Sequence, residues 1–207
     1  MTAYRIAVLL CSLFIIGVCG RAPVPAMAMS AYEGYVYNTD NIPVHSLNGY
    51  LYESSISGTG TSYGAWNNPQ DVFAAADGTL YVADTGNNRI VHLDASGGLI
   101  GVAGDQDGEG RLNGPKGVYV TEDGQLYVAD TQNHRIAVFD AQGVYVRDYP
   151  EPDSSLLPEQ FLYSPSKLIV DERGYMFVVS DGSVDGILQI DPQGEFMGFF
   201  GANHVPF

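Results

Sequence analysis

Residues 80–90 read LYVADTGNNRI, and residues 126–136 read LYVADTQNHRI, the same stretch 46 positions later. Extending the comparison to 69–94 against 115–140 gives 14 identities in 26 positions. A fainter third copy starts at Pro165 and ends near Asp191. Repetition at this spacing means a stacked or circular array of like units, so the repeat decides the fold before any other feature does.

The second copy shows what one unit is. Its apolar runs fall at 117–120, 125–129, 135–139 and 144–148, separated by Asp123-Gly124, by 130–134 and by 141–143. Asp-Gly between apolar runs signals a hairpin, so each unit is predicted to be a four-stranded antiparallel meander. Leu126 and Val128 share one side of their strand, Tyr127 and Ala129 the other. A sheet with one wet face alternates apolar with polar, so these sheets are covered on both faces. Such sheets packed face to face make an all-β β-propeller. Blades are predicted at 69–104, 115–148 and 165–201, with a long linker at 149–164 and a short tail at 202–207. The aromatic runs 32–38 and 50–56 flank a turn segment holding Pro43, Asn48 and Gly49. They are expected to pair as a half blade within 29–58. A propeller closes with ~4–8 blades, so three and a half leave the ring open. Further blades or a second copy of the chain would have to close it, and alone it would expose the face of the third blade.

Residues 1–28 have the form of a secretory signal: Arg5, an apolar run at 6–18, then Ala26-Met27-Ala28. Both cysteines, Cys11 and Cys19, and the cations Arg5 and Arg21 lie in that segment. Residues 29–207 carry 7 Lys and Arg against 24 Asp and Glu, a net charge of −17. A chain this acidic does not suit nucleic acid, whose phosphates need clustered cations, nor an anionic membrane surface. The expected location is secreted or extracytoplasmic.

The repeat resembles the NHL repeat. The residues carrying the resemblance are Pro115-x-Gly-Val, Asp123-Gly-x-Leu-Tyr-Val-Ala-Asp, Thr131-x-Asn-His-Arg-Ile and Val138-Phe-Asp, preceded by GDQDGEGRLNG at 104–114. The resemblance covers 69–201 and weakens in the third copy, where Ser180-Asp181-Gly182-Ser183-Val184-Asp185 replaces the Asp-Thr-x-Asn-x-Arg turn. It implies a module that binds protein, RNA or glycan, usually with six blades. The wider six-bladed class also implies an alternative, part of a metal-dependent gluconolactonase-like hydrolase or amidating-lyase-like enzyme.

Asp84, Thr85, Asn87 and Arg89, repeated as Asp130, Thr131, Asn133 and Arg135, read as structural. Recurrence in each blade is what a fold requirement looks like, and an Asp–Arg pair with an Asn suits a tight turn. Asp105, Asp107 and Glu109 lie close enough together to suggest calcium, although Lys116 stands where an EF-hand loop needs Glu. Asp181 and Asp185 lack the Arg of the other copies, which leaves two uncompensated carboxylates to meet a cation or a basic partner. His134 sits on a turn at the ring face. Tyr63 and Trp66 lie in the 58–68 linker and are candidates for sugar stacking. His92 stands where the second copy has Val138, as a packed strand side chain. No residue set for nucleophilic catalysis stands out, and no cofactor beyond calcium is expected. The turn between strands two and three and the linker to the next blade leave a meander at the same end. They are therefore expected to share one negative face that binds a protein or carbohydrate partner.

Overall fold

The computed structural model describes residues 34–46, 55–157, 160–182 and 186–201. The predicted signal segment, Asp185 and the tail at 202–207 lie outside them. The described chain divides into two units, one ending at Ser55 and one beginning at Ile56.

In the first unit β1 (Gly34–Tyr37) pairs antiparallel with β2 (Pro43–Ser46). This corrects the expected hairpin, in which Pro43 belonged to the turn and the second strand lay at 50–56. The chain reverses earlier because the Asn38 side-chain carbonyl accepts the N–H groups of Asp40 (3.0 Å) and Ile42 (2.9 Å), with Asn41 at φ 59°. A short polar side chain that mimics a turn makes this reversal possible. Residues 47–54 lie outside the described residues.

The second unit holds three four-stranded antiparallel sheets, each a sequential meander. Blade one is β3 (Asp71–Ala74), β4 (Leu80–Asp84), β5 (Arg89–Leu93) and β6 (Leu99–Ala103). Blade two is β7 (Pro115–Val120), β8 (Leu126–Asp130), β9 (Arg135–Phe139) and β10 (Tyr145–Pro150), and blade three is β11 (Pro165–Val170), β12 (Met176–Ser180), β13 (Ile187–Ile190) and β14 (Phe196–Phe200). The predicted strands stand where the turn signals placed them, except that β10 runs on to Pro150. The Asp-Gly and Gln-Gly turns close as read, with Gly124 N–H donating to Thr121 and Gly143 N–H to Asp140.

The doubly apolar strands sit between sheets. Tyr81, Ala83 and Ile90 of blade one pack against Val118, Leu126, Val128, Ala137 and Phe139 of blade two. The other face of blade two, with Tyr127, Ala129, Ile136 and Val138, packs against Leu168, Met176, Val178 and Leu188 of blade three. The first strands β3, β7 and β11 lie side by side, which puts them on the axis about which the blades turn. The ring is not closed by these three sheets.

The two ends of the stack differ. The outer face of blade one is covered by its own inbound chain, since Tyr63 packs on Val91 and Leu93 with Trp66 beside it. The Trp66 indole stacks on Tyr63 at 4.9 Å and donates to Ile56 O at 2.7 Å, and Ile56 reaches the Gly97 turn at the other end of the blade. Residues 56–66 thus form a strap across the place where a preceding blade would pack. Among the described residues no such strap lies on blade three, where Ile169 and Phe200 are 58% and 60% exposed.

Tyr163 fills the space between blades two and three and is fully buried, yet its hydroxyl finds no partner among the described residues. Burial pushes the phenol's pKa upward. An unpaired buried hydroxyl costs free energy that its removal returns. Tyr163→Phe is therefore expected to raise stability by about 1 kcal/mol, read as a higher urea midpoint at unchanged slope.

Candidate functional site

The side of the stack where linkers meet the strand two–three turns explains every residue of the repeated turn. Asp130 ends β8, fully buried, and its carboxylate accepts the Asn113 N–H of the inbound linker at 2.7 Å. Its other oxygen accepts from Asn133 and Arg135, each at 2.8 Å. Asp84 repeats this with Asn67 N–H, Asn87 and Arg89. The carboxylate thus holds the linker as well as its own turn, and the turn Asn ties down the same linker through Ala65 O or Arg111 O. Thr85 donates forward to Pro115 O at 2.6 Å, and Thr131 to Pro165 O at 2.7 Å. The Thr therefore stitches each blade to the first strand of the next. The residue after the Asn adopts the left-handed conformation and reaches the following linker. Asn88 Oδ1 accepts Gly114 N–H at 2.8 Å, and His134 Nδ1 lies 2.6 Å from Tyr163 O. A carbonyl only accepts, so Nδ1 carries the proton.

The expected shared face is present as geometry, because the turns bond directly to the linkers. Its charge is not as expected. Asp84 and Asp130 are buried against Arg89 and Arg135, and Arg135 also pairs with Asp148 at 2.8 Å. A bare negative surface there is therefore ruled out for the turn carboxylates.

The other sequence candidates separate in the same way. Tyr63 is 5% exposed and belongs to the blade-one core, so its ring is not offered to a sugar, whereas Trp66 keeps part of its surface. His134 is exposed but works as an inter-blade latch. His92 lies on β5 stacked on Tyr81 at 3.9 Å. Asp107 turns to Arg111, and Gln106 bonds Asp105. Among the described residues no three His, Cys, Asp or Glu side chains gather in a metal-holding set, so Asp105, Asp107 and Glu109 do not converge.

Asp181 is not uncompensated, which corrects the sequence reading. Lys116 of blade two donates to its carboxylate at 2.7 Å. Hydrogen bonds from Lys116 and then Ser166 hold its pKa below the usual carboxylate range. The cation comes from a neighbouring blade, which sequence spacing within one repeat does not reveal. Ser180 takes over the task of the buried Asp, its hydroxyl accepting Ser164 N–H at 2.8 Å.

Lys116 belongs to a group of charges that the sequence did not single out. Asp71, two residues after the repeat's Pro in blade one, accepts Val118 N–H at 3.0 Å and pairs with Lys167 of blade three. Gly117 stands at the same repeat position in blade two and lets the β11 backbone approach closely. Asp71–Lys167 and Lys116–Asp181 are thus two ion pairs that join blades, with Lys116, Asp181 and Lys167 36%, 48% and 52% exposed and Asp71 16%. The signal was present in the sequence as a departure from the repeat. Gln70-Asp71, Lys116-Gly117 and Ser166-Lys167 differ where the surrounding positions agree.

Four-stranded meanders packed face to face about an axis define a β-propeller. The NHL-repeat family matches residues 67–93 and 112–139, the first three strands of blades one and two with the ends of their inbound linkers, so the chain carries NHL repeats at these two places. Among curated proteins none matches this sequence. A hydrazine synthase of Kuenenia stuttgartiensis superposes with a TM-score of 0.50 at 18% identity, over 76% of this chain and 40% of that one. A catalytically inactive virginiamycin B lyase of Staphylococcus aureus, with quinupristin, gives 0.50 at 15% identity over 83% and 49%. A Bacteroides fragilis protein described as exported gives 0.51 at 13% over 66% and 38%. At these identities the likeness is one of fold, and this chain spans less than half of each of those proteins.

Proposed function

We propose that this chain is an exported NHL-repeat module that binds a partner at its axis, through Asp71, Lys116, Lys167 and Asp181. One observation carries the reading: two ion pairs, Lys116–Asp181 and Asp71–Lys167, link three blades at positions where the repeat is broken. The recurrent turn residues are consumed in holding blades to linkers. The axial charges answer to no recurring structural need, and residues that contradict a repeat's local rule mark functional sites. Two such ion pairs, each with a partly exposed lysine, suit a protein segment carrying both signs, held by charge-assisted hydrogen bonds. Glycan is the second ligand class, with Trp66 as its stacking surface. The net charge of the chain after residue 28 argues against nucleic acid. Export rests on the form of residues 1–28, and no described helix is long and apolar enough to cross a membrane.

The alternative, a piece of a metal-dependent hydrolase or lyase, draws support from no residue set in the described chain. The deciding experiment displays the protein to arrays of peptides and glycans, then repeats the binding with Lys116→Glu and Lys167→Glu. Both lysines are partly exposed, so melting is expected to move by no more than about 2 °C. Affinity for the selected ligand is expected to fall at least about tenfold, the equivalent of one lost charge-assisted bond. Unchanged affinity in both variants would overturn the axial site.

A further inference from the structure

Blade one departs from blade two at three positions that lie together on the face it turns to its neighbour. His92 stands where blade two has Val138, Gly101 where it has Arg147, and Ala103 where it has Tyr149. The pairing across strands gives the same equivalence. His92 lies opposite Gly101 as Val138 lies opposite Arg147, and Ile90 opposite Ala103 as Ile136 opposite Tyr149. In blade two the larger side chains fill the space towards blade three. The Arg147 guanidinium lies 5.0 Å over the Tyr149 ring, which is buried in the core shared with blade three. The Tyr149 hydroxyl donates to Pro192 O at 3.2 Å, and a Cβ at Gly194 would lie 3.2 Å from the ring.

Blade one has neither of these side chains. A cavity of about 290 Å³ opens between blades one and two, with Tyr81, Ile90, His92, Gly101, Leu126 and Ala141 in its wall. Ala141 and Gly143 are the counterparts of Pro192 and Gly194 in the same turn of the meander. The carbonyl and the open backbone that receive Tyr149 are therefore repeated here with no ring to receive. The cavity also borders an unmet polar atom. His92 stacks on Tyr81 at 3.9 Å, and its Nε2 is buried with no partner among the described residues. Burial holds the pKa of this imidazole below the usual histidine range, so the ring is neutral. A buried polar atom left unpaired costs free energy and calls for a partner.

We infer that this cavity binds a phenol, its ring in the place Tyr149 holds in the next interface. The hydroxyl donates to Ala141 O as Tyr149 donates to Pro192 O, with His92 Nε2 as a second polar contact. The size agrees, since an apolar cavity of about 150 Å³ is enough for benzene. This one has room for a single substituted ring. The site is separate from the axial charges, which lie on or beside the first strands, so its failure leaves the axial reading untouched.

Calorimetric titration of the protein with p-cresol is expected to show one saturable site. Toluene, the same molecule without the hydroxyl, is expected to bind at least about fivefold more weakly, the equivalent of one hydrogen bond. Ala103→Tyr puts the missing ring back and is expected to abolish p-cresol binding at an unchanged or higher melting temperature. Gly101→Phe is the second filler, because a Cβ at Gly101 would meet no atom within 4 Å. It is expected to weaken p-cresol at least about tenfold. His92→Val, the blade-two residue, is expected to weaken p-cresol at least about threefold and to leave toluene unchanged. Absence of saturable p-cresol binding overturns the inference, as does equal or tighter binding of toluene. So does full p-cresol affinity in both filled variants, which would place the bound phenol elsewhere. N-acetyltyrosinamide separates two sources of the same chemistry. Binding of p-cresol alone supports a free phenol as the ligand, and binding of both supports the tyrosine side chain of a peptide.

Discussion

Asp130→Ala is expected to lower the melting temperature by roughly 10 °C. The carboxylate is fully buried and holds three things at once: the Asn113 N–H, the Asn133 amide and the Arg135 guanidinium. Removing one member of a buried ion pair leaves the other charge poorly compensated and costs about 3–5 kcal/mol. In a chain of this size each kcal/mol moves the midpoint by about 2–4 °C. Arg135 keeps Asp148, which softens the loss but does not replace the linker anchor. The comparison is with Asp105→Ala, an exposed linker carboxylate, where a change within about 1 °C is expected. The measurement is thermal unfolding followed by circular dichroism. An Asp130→Ala midpoint as close to wild type as the Asp105→Ala midpoint would show that the repeated Asp is not what pins linkers to blades.

Gly117→Val is expected to destabilise by a similar amount through a different cause. A Cβ at Gly117 would sit 2.5 Å from Ser166 O and 3.0 Å from Lys167 Cα, both backbone atoms of the next blade. No side chain can swing aside to admit it, so β7 and β11 must separate at the axis. Overpacking of a tight contact costs about 1–3 kcal/mol, and spreading these strands also disturbs the Asp71–Lys167 pair that spans them. Gly124→Val is the control for added bulk alone. Its Cβ would meet only the Ala141 methyl, at 3.2 Å, so its cost comes from the positive φ of 86° rather than from the axis. The two are separated by binding, because only the Gly117 variant is expected to weaken an axial ligand. If Gly117→Val binds and melts like wild type, the blades are not in close contact there.

The 80–90 stretch announces its own partner at 126–136, and the apolar runs between Asp-Gly turns mark each strand because strand pairing in a meander is local. The structural character of the Asp-Thr-x-Asn-x-Arg turn is legible too, since a residue that recurs in every unit answers a need of the unit. The tasks of those residues are not legible. Thr131 bonds Pro165 O, 34 positions away, and His134 bonds Tyr163 O, 29 positions away. The hairpin at 34–46 escapes a reading by pattern because the polar turn at Asn38 merges with the longer turn-like segment after it.

The sequence by itself determined the unit, its period, the order of its strands and the apolar character of both sheet faces, because these follow from the residue pattern and from contacts between near neighbours along the chain. Only the tertiary structure decided which charges meet. Lys116 and Asp181 are 65 positions apart, and Asp71 and Lys167 belong to blades that are not adjacent. The turning of blades about an axis brings such residues together, and that rotation is set by how sheet faces pack, not by any spacing within a repeat.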